Sequence, residues 1–249
     1  MRFTVALGTV AFSVMLFSVP AAAVAKSSPE VNAAAAQCFG KVHATWPQII
    51  LACTKVIGAK PAPGYKAGAY FNRGAAYLNV GGGQNALADF SEALKIKPNF
   101  VQALEARGGL LIGQTKFDQA LADLNKAISI NPKSATAYNN RGMAYLGKKD
   151  VARALADFNK TIELEPKDSA GYISRANAHI GNKDRAAAMA DLDKAIELDP
   201  KHVVALANRA QLHVANNAID KAKADLKAIL ALQPDNKIAK DELAALSKS

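Results

Sequence analysis

Proline recurs every 34 residues through most of this 249-residue chain. Three other features keep the same interval: an arginine, a small residue directly after it, and an aspartate sixteen residues after the arginine. Because chance does not space five prolines in this way, most of the chain is one structural unit repeated five times. The recurring prolines are Pro98, Pro132, Pro166, Pro200 and Pro234.

Each unit has the hydrophobic periodicity of two helices. In residues 135–168 the apolar side chains recur at spacings of three and four on both sides of a short polar segment, 147–150. They are Ala137, Tyr138, Met143, Ala144 and Tyr145 before the segment, and Leu155, Phe158, Ile162 and Leu164 after it. Asp150 is a suitable N-cap for the second helix. Since one hairpin cannot cover its own apolar faces, we expect the units to stack.

The unit resembles the tetratricopeptide repeat, a 34-residue helix hairpin with small, aromatic and proline residues at fixed positions. In residues 135–168 the signature positions hold Tyr138, Gly142, Tyr145, Ala154, Phe158 and Pro166. The chain departs from the pattern at Arg141 and its equivalents, where leucine is favoured, at Thr161, and at His179 and His213, which replace the second tyrosine. The resemblance implies an all-α fold, a right-handed solenoid of stacked antiparallel helix hairpins.

The repeat and its flanks predict a domain organisation. Five repeats are expected at 67–100, 101–134, 135–168, 169–202 and 203–236. Residues 26–66 are expected to form a divergent N-terminal hairpin, with residues 60–64 as the linker to the first repeat. Residues 237–249 are expected to form a C-terminal capping helix.

The first 25 residues have the layout of a secretory signal peptide. Arg2 precedes an apolar run at 5–19, and Ala23-Val24-Ala25 then offers a cleavage site before Lys26. The alternative, an N-terminal membrane anchor, needs about 20 apolar residues, and this run is shorter. We therefore predict cleavage near Ala25-Lys26 and a periplasmic or secreted protein of a bacterial envelope.

The arginine and aspartate series predict ion pairs inside the hairpins. In an antiparallel hairpin, residues equidistant from the turn face each other, and the midpoint of Arg141 and Asp157 is Lys149, in the turn. The alternative partner of each aspartate is the next copy's arginine, eighteen residues later. Anion binding would need free arginines, but fivefold repetition at core-like positions favours a structural role. The pairs are Arg73–Asp89, Arg107–Asp123, Arg141–Asp157, Arg175–Asp191 and Arg209–Asp225.

Cys38 and Cys53 follow the same geometry, with their midpoint at residues 45 and 46. An exported chain meets an oxidising compartment, where a cysteine pair normally forms a disulfide. The alternative is a redox-active pair, but catalytic dithiols usually have C-x-x-C spacing. We therefore predict a structural disulfide that stabilises the divergent hairpin by about 3 kcal/mol.

No catalytic or metal-binding motif occurs in the chain. The P-loop, zinc-protease and nucleophile-elbow patterns are missing from the sequence. The histidines have no cysteine or carboxylate partner at ligand spacing; they are His43, His179, His202 and His213. We therefore expect a protein that is not an enzyme and needs neither a cofactor nor a metal.

The resemblance implies that the first helices of the repeats line a concave groove that binds a protein or peptide. Asparagines recur on these helices, and a carboxamide can both donate to and accept from an extended peptide backbone. The alternative is that these asparagines only cap or solvate a helix surface. The candidate peptide-binding residues are Asn72, Asn140, Ser174, Asn177 and Asn208.

The net charge of +10 leaves a second hypothesis open. Lysines recur on the second helices at Lys126, Lys160 and Lys194, so the chain could bind an anionic envelope polymer or a membrane surface. Binding through surface charge weakens with salt more than groove hydrogen bonding does. A nucleic-acid partner is not expected, because no aromatic stacking platform accompanies the lysines.

Overall fold

The computed structural model describes residues 28–40 and 42–247, which form thirteen helices and no strand. The predicted signal peptide at residues 1–25 lies outside this range. No helix among the described residues is both long and apolar enough to cross a bilayer. The all-α fold class is thereby confirmed.

The chain divides between Lys133 and Ser134 into two compact units. The first unit contains α1 (Pro29–Cys38), α2 (Trp46–Gly58), α3 (Pro63–Asn79), α4 (Gly83–Ile96), α5 (Val101–Gly113) and α6 (Phe117–Ile130). The second contains α7 (Ala135–Gly147), α8 (Val151–Leu164), α9 (Ser169–Gly181), α10 (Arg185–Leu198), α11 (Val203–Ala215), α12 (Ile219–Leu232) and α13 (Lys237–Leu246). Within each unit, consecutive helices pack together as hairpins, and the hairpins stack.

Capping side chains and turn residues determine where the helices begin and end. Asp150 accepts from the backbone N–H of Arg153 at the start of α8, as predicted, and Ser134, Asp168 and Asn236 cap first helices in the same way. In each of the five turns one residue has a positive φ, and these residues are 34 apart: Gly81, Thr115, Lys149, Lys183 and Asn217. The repeat therefore extends to the backbone conformation of the turn.

The N-terminal hairpin differs from its predicted outline at one point. α1 and α2 form a hairpin as expected, and their buried side chains pack with Ala69 and Ala76 of α3. Pro63, however, is the first residue of α3 rather than part of the linker. The reason is that proline suits the first helical turn, where its missing N–H is not needed. The linker is therefore shorter than the predicted 60–64.

The C-terminal helix covers the last hairpin of the second unit. Ala239, Leu243 and Leu246 of α13 pack into the cluster that contains Leu226 and Ile229 of α12. Ile238 lies on the other side of the helix and is exposed. α13 therefore takes the place of a further first helix and buries an apolar face that would otherwise meet water.

Close packing of the two helices of a hairpin requires a glycine after the arginine in the third repeat. A Cβ atom added to Gly142 would lie 2.6 Å from Cε1 of Phe158, whose ring is completely buried. We expect Gly142→Ala to destabilise the second unit by about 1–3 kcal/mol, because the ring must shift within a filled core. The free energy of unfolding, measured with urea and circular dichroism, checks this.

Gly181 provides the matched control for that substitution. It also lies on a first helix, α9, but a Cβ atom added there meets nothing within 4 Å. Gly181→Ala should leave stability unchanged or raise it by up to about 1 kcal/mol through helix propensity. Equal losses in the two variants would show that the contact with Phe158 is not what excludes a side chain at Gly142.

Candidate functional site

The five recurring arginines each hold the aspartate sixteen residues later. Nε and Nη2 of each arginine donate to the two carboxylate oxygens of the aspartate at 2.6–3.0 Å. This is the first of the two arrangements predicted from the spacing. The bonded pairs are Arg73–Asp89, Arg107–Asp123, Arg141–Asp157, Arg175–Asp191 and Arg209–Asp225.

Four of these arginines also contact the preceding hairpin of their own unit, which the spacing alone did not predict. Nη1 of Arg73 donates to Thr54 Oγ1 at 2.9 Å, and Nη1 of Arg209 donates to Asp193 Oδ1 at 2.8 Å. Two further arginines make the equivalent contact: Arg107 with Ser91 and Arg175 with Asn159. Each of these arginines therefore joins the two helices of its own hairpin to the second helix of the preceding hairpin.

Electrostatics agrees with a structural role for these pairs. Two hydrogen bonds to Asp89 raise the pKa of the Arg73 guanidinium above its ordinary value, so the arginine stays cationic. Burial raises the pKa of the Asp89 carboxyl, and the hydrogen bonds from Arg73 offset part of that rise. The arginine is what allows a carboxylate to lie inside the hairpin.

The asparagine series does not form an open row. Asn72 is 0% exposed, and its Nδ2 donates to the carbonyl oxygen of Cys38 at 2.9 Å. Asn140 is buried, and Asn208, only 5% exposed, donates to Oδ1 of Asn177 at 2.8 Å. The expected peptide contact by Asn72 is therefore wrong. The physical reason is that Asn72 and Asn208 point at the first helix of the preceding hairpin, where each carboxamide makes a buried hydrogen bond.

Other polar groups on the first helices of the second unit remain closer to the surface. Ser174 and Gln211 are half-buried. Asn139 is also half-buried, and its Oδ1 is one of the buried side-chain atoms that have no hydrogen-bond partner within the described part of the chain. Its Nδ2 lies 4.0 Å from Sδ of Met143. Asn139 was not among the predicted site residues, because no spacing distinguishes it from its neighbour Asn140.

Two of the three recurring lysines of the second helices pair with a glutamate of the same helix, so they are less available to an anionic partner than the net charge implies. Lys160 pairs with Glu163 at 2.6 Å, and Lys194 pairs with Glu197 at 2.7 Å, each within one helical turn. Lys126 is exposed. In residues 28–40 and 42–247, no group of three or more His, Cys, Asp and Glu side chains could hold a metal ion.

Four family models match the chain in sequence. Models described as tetratricopeptide repeat match residues 67–100, 135–168 and 179–246, and one described as TPR repeat matches 111–149. The chain belongs to the tetratricopeptide repeat family. The first two of these ranges coincide with predicted repeats, and each contains one complete arginine–aspartate pair, Arg73–Asp89 and Arg141–Asp157. No curated protein matches this tetratricopeptide repeat chain significantly in sequence.

Solved structures show the same fold. A tetratricopeptide repeat protein from Parabacteroides merdae has a TM-score of 0.71 at 21% identity, covering 92% of this chain and 89% of its own. Pseudomonas aeruginosa pilF has a TM-score of 0.68 at 18% identity, covering 87% and 97%. YrrB, described as a TPR protein with an unusual peptide-binding site, has a TM-score of 0.52 at 19% identity, covering 76% and 96%.

Family membership gives the general function. Tetratricopeptide repeats mediate binding of proteins or peptides and are generally non-enzymatic scaffolds, which supports a protein–protein interaction module. The arginine–aspartate pairs are internal to this scaffold and are not free to bind a ligand. The candidate surface is the first-helix face of the second unit, which we define by its half-buried polar residues Asn139, Ser174 and Gln211.

Proposed function

We propose that this protein is an exported, non-enzymatic adaptor or assembly factor that binds an extended segment of a partner protein along the first-helix face. The observation that carries the proposal is the buried Oδ1 of Asn139, which accepts no hydrogen bond from the described residues. A buried acceptor without a donor is unfavourable by about 1–3 kcal/mol. Because Asn139 as a whole is half-buried, a rotation of its side chain would bring this oxygen to the surface, where a backbone N–H of a bound peptide would supply the donor.

The surroundings of Asn139 suit an extended polypeptide. Met143 lies one helical turn away on α7, and the half-buried Ser174 lies on the neighbouring first helix, α9. Farther along, the hydrogen bond from Asn208 fixes the carboxamide of Asn177, and Gln211 follows one turn later on α11. Amide and hydroxyl groups that can bond a peptide backbone thus recur along this face.

The absence of enzymatic activity is part of the proposal. The buried charged side chains of the described residues are the aspartates of the ion pairs, and the hydrogen bonds from each arginine occupy both carboxylate oxygens. A catalytic carboxylate needs a free oxygen within reach of a substrate. The peptide-binding site described for YrrB supports a peptide as the ligand class. Export rests on the signal-peptide pattern of residues 1–25 and agrees with the Cys38–Cys53 disulfide.

Crosslinking to envelope extract tests this function with a matched pair of variants. The mature chain, residues 26–249, is compared with Asn139→Ala/Gln211→Ala and with the control Gln84→Ala/Asn85→Ala, two exposed amides at the start of α4. We expect mass spectrometry to find a discrete protein captured by the native chain and the control at low and high salt. The first-helix variant should capture at least about tenfold less, because it loses the neutral hydrogen bonds of two amide side chains. A tenfold change corresponds to about 1.4 kcal/mol of binding free energy.

Two results would contradict the proposal. Capture that is unaffected by Asn139→Ala/Gln211→Ala would exclude the first-helix face. Capture that disappears at high salt for the native chain would instead indicate the basic surface and an anionic envelope polymer or lipid, because salt screens exposed charges separated by more than about 8 Å.

A further inference from the structure

A cavity of about 360 Å³ lies between α4, α5 and α6 in the first unit, and none of its lining residues belongs to the first-helix face. Both apolar and charged side chains line it. They are Leu87, Ser91, Arg107, Leu111, Lys116, Gln119, Ala122 and Asp123. The proposed function does not use this cavity.

The first repeat shows what fills the equivalent space. Leu111 occupies the position that Tyr77 holds 34 residues earlier. The Tyr77 ring centre lies 6.0 Å from Arg73 Cζ, and its Cδ1 would contact a Cβ atom on Gly82 at 3.2 Å. The second-repeat equivalents of Arg73 and Gly82 are Arg107 and Lys116, and both line the cavity.

The third repeat gives the same result independently. Tyr145 is the equivalent of Leu111, and its ring centre lies 6.0 Å from Arg141 Cζ and 4.5 Å from Arg153 Cζ. The second-repeat equivalents of those arginines are Arg107 and Gln119, which also line the cavity. The cavity therefore includes the volume that a tyrosine ring occupies in two other repeats.

The chemistry of the cavity also suits an aromatic ring. Arg107 donates in its plane to Asp123 and Ser91, which leaves the face of the guanidinium for stacking. Its side chain is 26% exposed, against 18% for Arg73 beside Tyr77. Leu87 and Leu111 supply apolar walls. In the second repeat the first tyrosine position is also a leucine, Leu104, so neither position provides a ring.

We propose that this cavity binds one aromatic ring, presented by a protein partner as a tyrosine or phenylalanine side chain. The rim residues Lys116, Gln119 and Ala122 are exposed, so a ring entering from solvent keeps its attachment to the polypeptide outside. A guanidinium stacked on an aromatic face is a favourable cation–π contact. The proposal shares with the proposed function the premise of a protein partner, but it concerns another unit and other residues.

Titration of the mature chain with the capped peptide acetyl-Gly-Tyr-Gly-amide, followed by methyl NMR of the leucines, tests this site. We expect saturable shifts at Leu87 and Leu111, and none with acetyl-Gly-Leu-Gly-amide. Leu111→Tyr fills the volume and Ala122→Trp covers the rim, so both should weaken binding at least about tenfold. Ala156→Trp, the equivalent exposed position in the third repeat, is the control and should bind as the native chain does.

Three outcomes would overturn the proposal: no saturable shift with the tyrosine peptide, native binding by both Leu111→Tyr and Ala122→Trp, or binding of free p-cresol without binding of the peptide. Ala122→Trp alters only an exposed residue, so it keeps the test valid if Leu111→Tyr fails to fold. Because the probe is a synthetic peptide, failure here leaves the first-helix face unaffected, and failure of envelope capture leaves this site unaffected.

Discussion

Replacing Arg73 by methionine is expected to destabilise the first unit by about 3 kcal/mol at neutral pH, the lower end of the range for breaking a buried ion pair. The substitution leaves Asp89 buried without its two hydrogen bonds and removes the contact to Thr54 on α2. The lower end applies because the Arg73 side chain keeps some exposure. Trp46 is the single tryptophan of the chain and lies on α2, so its fluorescence during urea unfolding reports on this unit.

The pH dependence and a double variant separate a lost ion pair from lost packing. Without Arg73 the pKa of Asp89 rises further, since burial then acts unopposed. A carboxyl whose folded pKa lies above its unfolded pKa favours folding at low pH and loses that contribution as pH rises, so the deficit should be smaller at about pH 4 than at about pH 7. Arg73→Met/Asp89→Leu should recover part of the loss, and a double variant as unstable as the single one would contradict the account.

Removing the disulfide is expected to destabilise the N-terminal hairpin, because the unfolded chain then gains conformational freedom. For a closed loop as short as this one, with a sequence separation of 15, the expected loss is about 3 kcal/mol. Cys38 and Cys53 are completely buried at the contact of α1 with α2, and the carbonyl of Cys38 also accepts from Asn72. Cys38→Ala/Cys53→Ala therefore loosens the hairpin against which α3 packs. The Trp46 fluorescence transition should move to lower urea.

The second unit provides the control for this variant. Cys38 and Cys53 both belong to the first unit, so loss of helical signal from residues 134–247 should keep its native midpoint. Hydrogen exchange of α9 to α12 measures this directly. An unchanged Trp46 transition, or an equal shift in both units, would show that the disulfide does not act locally.

The ion pairs and the disulfide could be predicted because a hairpin converts sequence distance into spatial contact. Arg141 and Asp157 are symmetric about the turn residue Lys149, and Cys38 and Cys53 are symmetric about the turn before α2. Helix caps such as Asp150 could also be predicted, since a capping side chain bonds the backbone of residues close to it in sequence.

The burial of the asparagines could not be predicted from one repeat. Asn72 donates to Cys38 34 residues earlier, and Asn208 donates to Asn177 31 residues earlier, so both depend on the packing of neighbouring hairpins. A helical period shows which side of a helix is apolar, but not which polar residue at its edge meets the next helix. The sequence did distinguish Leu111, since it stands where two other repeats hold a tyrosine, Tyr77 and Tyr145.

The most direct test of the central claim is the dissociation constant of the captured partner, measured by calorimetry at low and high salt. The claim is that the first-helix face binds the partner, while the charged residues mainly hold the repeats together. We expect Asn139→Ala/Gln211→Ala to raise the Kd at least about tenfold, and an increase in salt to change it less than that. A Kd that is unaffected by this variant but rises steeply with salt would contradict the claim.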